Sequence, residues 1–386
     1  MELTFEPLGK FVRLVDERNT NLVTESVLGI NIDKYFMPSV ANVIGTDLRK
    51  YKLLRNGRFA CNPMHVGRDY RLPVARYTEE IPAIVSPAYF MFEIVDEKII
   101  EPEYLMLCFR HPDFDRMCWF KTDASVRGGI TWEDFCTIVI PILSIEEQRR
   151  IVHDYQVITD RITLLSRIIA NIDRNNEVRL YRMLSEANDS KSFEVVRIGD
   201  HITITRGVSY VPDEATDEPL KGYIPIFRSN NIVDGTLVYD DLTYVMEKNV
   251  KPEQMVRNRS LIIAMSSGSQ AHVGKVAMAY DDMNYSYGAF CAMIIIDKNF
   301  EGLISTYLKG PWFKSHLEEL LLSTTINNIK KEYIEGIELI IPSQGQLNSF
   351  ENEYQILAAQ KANIVKELVA LKNVQKMFVA NLEKGA

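Results

Sequence analysis

Apolar residues recur every three or four positions along the middle of the chain, from residue 145 to residue 184. The positions of this seam are Ile151, Tyr155, Ile158, Ile162, Leu165, Ile169 and Ile172. Such a heptad pattern predicts a long helix whose apolar face is buried against another helix. No proline or glycine interrupts the stretch, and Ser144 can cap its start. At about 1.5 Å per residue, the helix would be about 60 Å long.

The C-terminal stretch, residues 344–382, repeats the same spacing. Its seam positions are Tyr354, Leu357, Ile364, Leu368, Leu371, Phe378 and Leu382, with Lys361 and Gln375 at the two remaining ones. A polar seam residue lowers stability but fixes the register of a helix pair. We therefore predict one antiparallel intramolecular coiled coil. The alternative is two amphipathic helices, each packed on its own globular domain.

The chain also resembles itself at an offset near 200 residues. His65-Val66-Gly67-Arg68 matches His272-Val273-Gly274-Lys275, and Ile-Pro at 140–141 matches Ile-Pro at 341–342, each just ahead of a long helix. A period this long indicates a tandem pair of domains. We predict a first domain at 1–144, a spacer helix at 145–184, a second domain at 185–342 and a second spacer helix at 343–386. The polar stretch 185–192 is the expected linker.

Within the globular parts, short apolar runs at 260–265 and 289–297 are typical of strands, and 102–109 and 303–322 are typical of helices. The fold class is therefore α+β, with two tandem domains separated by two long helices.

The composition of the chain indicates the cellular compartment in which it functions. The chain has 386 residues, of which 46% are hydrophobic, and no apolar run approaches the roughly 20 residues that cross a bilayer. Five scattered cysteines form no C-x-x-C pair, and the N-terminus has no basic flank followed by an apolar core. We expect a cytoplasmic protein with reduced thiols and no membrane partner.

Motifs for catalysis are absent from the sequence. It contains no G-x-G, no P-loop and no Asn- or Asp-Pro-Pro-aromatic methyltransferase signature. The six histidines show no metal-ligand spacing. We therefore expect a chain that is not an enzyme and that binds neither a metal nor a cofactor of its own.

The net charge of −8 does not exclude a nucleic-acid partner, because phosphate binding needs only a local patch. Residues 49–76 carry eight basic side chains and one acidic side chain, Asp69. This stretch is the strongest basic patch of the first domain.

Three segments carry a resemblance to a known family. They are residues 29–64, 101–116 and 124–152, the last containing Ile-Pro followed by Glu-Glu-Gln at the start of the first long helix. With the duplicated arrangement of domain, Ile-Pro and helix, they resemble the specificity subunit of type I restriction-modification systems.

The resemblance implies separate roles for the globular domains, the long helices and the partner subunits. Each globular domain would be a target-recognition domain reading one half of a bipartite site in double-stranded DNA, and the paired helices would fix the separation. The helices would dock two modification subunits, which carry S-adenosylmethionine and methylate adenine N6. Restriction subunits using ATP and Mg would complete the complex. Alternatives are the specificity subunit of a methylation-only or type II-like system, a coiled-coil interaction scaffold without a DNA role, and an enzyme such as a stand-alone nuclease or methyltransferase.

Candidate DNA-contacting residues are of two kinds, since Lys and Arg neutralise phosphates whereas Arg, Asn, Gln, Ser and His can read base edges. In the first domain they are Arg49, Lys50, Lys52, Arg55, Arg58, Asn62, His65, Arg68, Arg71 and Arg127. In the second they are Arg206, Arg228, Asn230, Asn231, Ser267, Ser269, Gln270, His272, Lys275, Asn327, Asn328, Lys330 and Lys331. The alternative for any one of them is a solvated or turn-forming side chain.

Overall fold

The computed structural model describes residues 3–41, 43–64, 66–122, 128–189, 193–268, 272–322, 328–341 and 343–382. The chain forms two compact units. Unit 1 is Met1–Thr163 with Ala370–Ala386, and unit 2 is Leu164–Val369. Each long helix therefore contributes one part to each unit.

Unit 1 contains ten strands and four short helices in its described part. The strands are β1 Thr4–Pro7, β2 Val12–Leu14, β3 Leu28–Ile30, β4 Phe36–Pro38, β5 Lys52–Leu54, β6 Phe59–Cys61, β7 Val74–Arg76, β8 Ala83–Val85, β9 Phe90–Ile94 and β10 Val139–Ile142. The helices are α1 Val66–Asp69, α2 Pro102–Arg110, α3 Pro112–Phe120 and α4 Trp132–Thr137. The first long helix, α5, is Ile145–Asp189.

Unit 2 has twelve strands over the residues described. They are β11 Glu194–Arg197, β12 Ile202–Arg206, β13 Ala215–Thr216, β14 Tyr223–Phe227, β15 Ile232–Val233, β16 Thr236–Leu237, β17 Thr243–Met246, β18 Leu261–Ala264, β19 Val276–Met278, β20 Ser286–Tyr287, β21 Cys291–Ile296 and β22 Glu338–Ile341. Its short helices are α6 Glu301–Lys309, α7 Pro311–Leu322 and α8 Lys331–Glu335. The second long helix, α9, is Gln344–Ala380.

The same topology occurs in both units. Unit 1 has a four-stranded antiparallel sheet in the order β2-β9-β6-β7, and unit 2 has one in the order β12-β21-β18-β19. In each, the first strand of the unit pairs antiparallel with the strand just ahead of a long helix, β1 with β10 and β11 with β22. Two helices follow the central strand, α2 and α3 or α6 and α7. The predicted α+β tandem duplication is confirmed.

The cores of the units differ in composition. Unit 1 is built around an aromatic cluster, in which Phe92 stacks on Phe59 at 5.2 Å and also contacts Phe109 and Phe135. Unit 2 instead packs mainly aliphatic and methionine side chains, such as Ile263, Met278 and Leu303. The shared topology therefore does not depend on one set of core side chains, since volume and pattern suffice to specify a fold.

Helix α5 begins where the sequence predicts. The Ser144 hydroxyl accepts a hydrogen bond from the Glu147 backbone N–H at 3.2 Å, as an N-cap does. The helix continues to Asp189, five residues beyond the expected end, so the expected linker 185–192 is wrong for its first five residues. These residues contain no proline or glycine, and Ala187 is fully buried, so packing extends the helix.

The seam pairs the two long helices antiparallel within unit 1. The rings of Tyr155 and Phe378 lie 6.0 Å apart, and Gln375 donates a hydrogen bond to the Thr159 hydroxyl at 2.8 Å. One polar seam residue therefore finds a polar partner on the facing helix. Residue numbers rise along α5 as they fall along α9, as the predicted coiled coil requires.

Within unit 2, the second polar seam residue forms a buried ion cluster. Lys361 is 2% exposed, and its ammonium group pairs with the Asp173 carboxylate of α5. Lys309, at the end of α6, pairs with the same carboxylate at 3.2 Å. Burial and the neighbouring Lys309 lower the pKa of Lys361 to about 8. Burial raises the pKa of Asp173, but the two ammonium groups outweigh it, and the net shift is downward.

The opposite end of α6 is held by α9. The Glu351 carboxylate accepts hydrogen bonds from the backbone N–H groups of Gly302 and Leu303 at 2.7 and 2.8 Å, which places an acid at the helix N-terminus. A Cβ atom at Gly302 would lie 2.7 Å from the Tyr354 ring, so glycine permits the close approach. Helix α6 is therefore attached to α9 at its start and to α5 at its end.

One stretch that was predicted to form a single helix forms two helices in the structure. The expected helix 303–322 is broken between α6, which starts at Glu301 and ends at Lys309, and α7, which starts at Pro311. Proline lacks the N–H that a continuing helix needs but suits the first turn of a new one. In the described residues, no helix has an apolar run long enough to cross a membrane.

We predict that Asp173→Asn destabilises unit 2 by about 3–5 kcal/mol, because it leaves two buried ammonium groups without a counter-ion. Urea unfolding of the full chain measures the change. The matched control is Glu353→Gln, which removes an ion pair between the same helices whose carboxylate is exposed, Arg179 with Glu353 at 2.8 Å. The control should cost less than about 1 kcal/mol. Equal losses in the two variants would contradict a special role for the buried cluster.

Candidate nucleic-acid interface

A tight turn in unit 2, Gly288–Cys291, connects β20 to β21. The Cys291 N–H donates to the Gly288 carbonyl at 2.8 Å, which closes the turn with Ala289 and Phe290 at its tip. Cys291 is fully buried, whereas Phe290 is 70% exposed. The turn therefore projects one aromatic ring from the end of the central strand.

Two predicted arginines are chain neighbours of residues whose backbone groups bond to this turn. Gly207, which follows Arg206, donates its N–H to the Cys291 carbonyl at 3.1 Å. Gly288 donates its N–H to the Phe227 carbonyl at 2.9 Å, and Arg228 follows directly. The ends of β12 and β14 are therefore fixed at the turn.

The remaining polar segments of unit 2 meet the turn from the other side. Met265 and Ser266 both donate their N–H groups to the Phe290 carbonyl, at 2.8 and 3.1 Å. Ser266 forms an isolated bridge with Asn328, and the Ile329 N–H donates to the Met265 carbonyl at 2.7 Å. We call the group Arg206, Arg228, Ser266, Ser267, Phe290 and Asn328 the turn cluster. Segments about 120 residues apart in sequence converge on it.

Two polar atoms of the turn cluster are buried and have no hydrogen-bond partner among the described residues. They are Nε of Arg228 and Oδ1 of Asn328. Arg228 is also anchored, because its Nη2 donates to the Asp241 carbonyl at 3.1 Å. Buried polar atoms are normally paired, so these two atoms are exceptions in this part of the fold. Arginine and asparagine are the side chains that form bidentate pairs with guanine and adenine.

Other candidates of unit 2 surround this cluster. His272 and Lys275 contact each other at 3.2 Å, and Lys331 pairs with Glu335 at 3.5 Å on the surface. Arg206, Asn230, Lys330 and Lys331 are exposed.

Asn231 has a structural role. Its side chain is fully buried, accepts a hydrogen bond from the Arg228 N–H at 2.9 Å and donates to the Asp240 carbonyl at 2.8 Å. Since these bonds occupy the amide inside the fold, we remove Asn231 from the set of DNA-contacting candidates. It instead shapes the loop that carries Arg228.

In unit 1, acidic residues from elsewhere in the chain compensate the basic stretch. Arg55 and Arg58 pair with Glu17 at 2.8 and 2.6 Å, and Arg71 pairs with Asp33 at 3.4 Å. Hydrogen bonds from Arg55 lower the pKa of Glu17. The expected excess of free positive charge is therefore reduced on folding.

Two basic candidates of unit 1 are largely enclosed. Lys52 is 7% exposed and donates to the Tyr89 carbonyl at 2.7 Å. Arg58 donates to the Leu53 carbonyl at 2.8 Å, and only 15% of its side chain is exposed. We remove both from the phosphate-contacting set, because their charges are satisfied inside the protein. Arg49, Lys50, Arg55 and Arg71 remain exposed.

Unit 1 repeats the backbone arrangement of the turn cluster. The Ile130 N–H donates to the Pro63 carbonyl at 3.2 Å, as Ile329 does to Met265 in unit 2. Asn62, next to Pro63, accepts a hydrogen bond from the Met64 N–H at 3.1 Å. The same two loops are thus joined in both units, although their side chains differ.

Several candidates lie outside the described part of the chain. They are His65, the side chain of Arg68, Arg127, Ser269, Gln270 and Asn327.

The described residues offer no cluster of His, Cys, Asp or Glu suited to a metal ion. Cys61 and Cys291 are fully buried, and burial raises the pKa of both thiols, to about 12 for Cys291. Such thiols are poor nucleophiles at neutral pH. The polar groups gathered here instead suit binding through hydrogen bonds.

Sequence reasoning missed Phe290 and its turn. Phe290 lies in a run of apolar residues that reads as a buried strand, whereas the strand itself begins one residue later. The available signal was Gly288, two residues ahead of Phe290, because glycine often marks turns and the ends of strands.

Comparison with known proteins finds similarity over part of the chain. Residues 190–368 match the family model described as type I restriction modification DNA specificity domain. The match covers a little under half of the chain. The type I restriction enzyme EcoKI specificity subunit of Escherichia coli (strain K12) is 30% identical over 185 residues, which is 48% of this chain and 40% of that protein. The StySPI specificity subunit of Salmonella potsdam is 31% identical over 177 residues, 46% and 38% of the two chains.

These curated specificity subunits are matched over about two fifths of their length. The fold match is more extensive. The crystal structure of a type I restriction-modification S subunit from M. genitalium aligns over 99% of this chain and 96% of that chain, with a TM-score of 0.55 and 12% identity. At that identity, the likeness shows a shared fold.

We predict that Gly207→Ala disrupts the turn cluster. The added Cβ would lie 2.2 Å from the Gly288 carbonyl oxygen, so β12 and the turn must move apart. The expected loss of stability is about 1–3 kcal/mol, the usual cost of overpacking. The matched control is Gly268→Ala, where an added Cβ meets no described atom within 4 Å. Thermal unfolding measures both, and an unchanged Gly207→Ala melting temperature would contradict the close approach.

Proposed function

We propose that this chain is the non-catalytic, sequence-specific DNA-recognition subunit of a type I restriction-modification complex, and that it reads a bipartite site in double-stranded DNA. The observation that carries the proposal is the duplication of one recognition scaffold. Each unit joins the same two loops by the same backbone hydrogen bond, yet presents different polar side chains there. Two copies of one scaffold with different side chains suit two half-sites of different sequence.

The turn cluster supports base reading in the second half-site. Arg228, Ser267 and Asn328 are the proposed contacts to base edges, and their loops are fixed by backbone hydrogen bonds at Gly288 and Phe290. Fixed backbone matters because direct readout requires donors and acceptors to be placed before binding. Arg206, Lys330 and Lys331 are exposed and suit phosphate contacts, which position the protein without specifying sequence.

For the first half-site, the proposed contacts are fewer. Arg49, Lys50, Arg55 and Arg71 suit phosphates, and Asn62 suits a base edge. His65, Arg68 and Arg127 remain proposed from sequence alone. Phosphate contacts of this kind make binding weaken steeply as salt concentration rises.

We infer that residues 1–144 and 185–342 are the target-recognition domains and that the spacer helices, 145–184 and 343–386, set the distance between the half-sites. The pairing of the two helices inside each unit supports this role, since a paired helix is stiffer than a single one. The helices also carry exposed apolar side chains, including Val157, Val178, Tyr181, Val374 and Met377. Such side chains suit docking of the two modification subunits, because exposed apolar groups mark interaction surfaces.

Cofactors belong to the partners in this proposal. Modification subunits would bring S-adenosylmethionine, and restriction subunits would bring ATP and Mg. The chain itself would only recognise the DNA site, so the purified chain alone should neither methylate nor cleave DNA.

The spacer role is tested by inserting one heptad in each long helix, after Thr163 and after Val369. A seven-residue insertion keeps the seam in phase and lengthens each helix by about 10 Å. The unread gap of the methylated site should grow by about three base pairs, at about 3.4 Å per base pair. Mapping of N6-methyladenine in cells that also express the modification subunit reads out the gap.

The control carries the insertion in α5 alone, which shifts the two seams out of register. That variant should lose stability and site-specific methylation. An unchanged gap in the doubly inserted, folded variant would contradict the spacer role.

A further inference from the structure

Phe290 is the most exposed aromatic side chain among the described residues of unit 2, at 70%. Burying a phenylalanine is favourable, so this exposed ring has free energy to gain from contact with a partner. The ring belongs to neither of the large hydrophobic clusters of this unit.

The backbone that carries this ring is fixed. Phe290 accepts two backbone hydrogen bonds from Met265 and Ser266, and the turn is closed by the bond from Cys291 to Gly288. Gly288 is itself bonded to β14. The ring is therefore presented on a rigid turn, which lowers the entropy lost when it makes a contact.

The neighbours of Phe290 define the chemistry of the contact. Every other member of the turn cluster is polar, and Arg228 and Asn328 are side chains that read base edges. Phe290 is the apolar member of the group. In the major groove, the apolar group displayed by a base pair is the 5-methyl group of thymine.

The duplicated unit offers an internal comparison. Leu261 pairs with Ile294 in β18 and β21, as Phe59 pairs with Phe92 in β6 and β9. By this register, Phe290 corresponds to Ala88 of unit 1. The scaffold thus accepts alanine here, and the two units differ at a position where two half-sites would differ.

We propose that Phe290 is a specificity-determining residue that contacts the 5-methyl group of one thymine in the half-site read by unit 2. This inference rests on the proposed function, because it assumes that the turn cluster faces the major groove of DNA. It assigns a role to a residue outside the polar set.

The test replaces each thymine of that half-site, one at a time, with uracil, which keeps base pairing and lacks the methyl group. The full-length chain is used in complex with its co-expressed modification subunit, and affinity is measured by fluorescence anisotropy. We expect uracil at one position to weaken binding about fourfold, the equivalent of one buried methyl group. The Phe290→Ala complex should bind the thymine and uracil duplexes equally at that position and keep its other base preferences.

The matched control is Phe193→Ala, since Phe193 is an exposed aromatic residue just ahead of β11, 53% exposed. This variant should retain the fourfold preference. Specific binding with no effect of uracil, or an undiminished effect in Phe290→Ala, would overturn the inference and leave the proposed function standing. No preference of the wild-type complex for its mapped site over a scrambled duplex would overturn both.

Discussion

The carboxylate of Asp173 on α5 pairs with the ammonium groups of Lys361 on α9 and Lys309 on α6, and so joins α6 to both long helices within unit 2. Lys361 fixes the register of α9 against α5, while Lys309 fixes the end of α6. Charges buried in this way are costly unless paired, so a shifted register would leave at least one of them without a partner. The cluster thus disfavours alternative pairings of two helices whose apolar seams alone would tolerate a slip by one heptad.

The ion cluster at Asp173 is connected to the proposed site through helix α6 and strand β21. Helix α6, capped by Glu351 and anchored by Lys309, follows β21, and β21 begins at the turn that carries Phe290. The side chains proposed to read DNA therefore lie on short loops, but the strand ends that bear those loops are fixed by packed elements. Such an arrangement allows loop residues to change without altering the scaffold, as the difference between Ala88 and Phe290 illustrates.

Periodic features were predictable from sequence, and long-range pairings were not. The heptad spacing located both long helices, because burial of one face is a local pattern, and the repeat located the two units. Lys361 was recognisable as a polar seam residue, but its partner Asp173 lies outside the apolar positions of the facing seam. The basic stretch of unit 1 appeared uncompensated because Glu17 and Asp33 lie far from it in sequence. Phe290 was missed for a local reason, since the apolar run in which it lies was interpreted as a strand and not as a turn followed by a strand.

The central claim is that one chain reads two separate blocks of DNA sequence through two copies of one scaffold. The most direct measurement is single-molecule mapping of N6-methyladenine in cells that express this chain together with its modification subunit. The account predicts methylation at a motif of two specified blocks separated by a constant number of unspecified base pairs. A single contiguous motif, or methylation independent of sequence beside a well-formed complex, would contradict it.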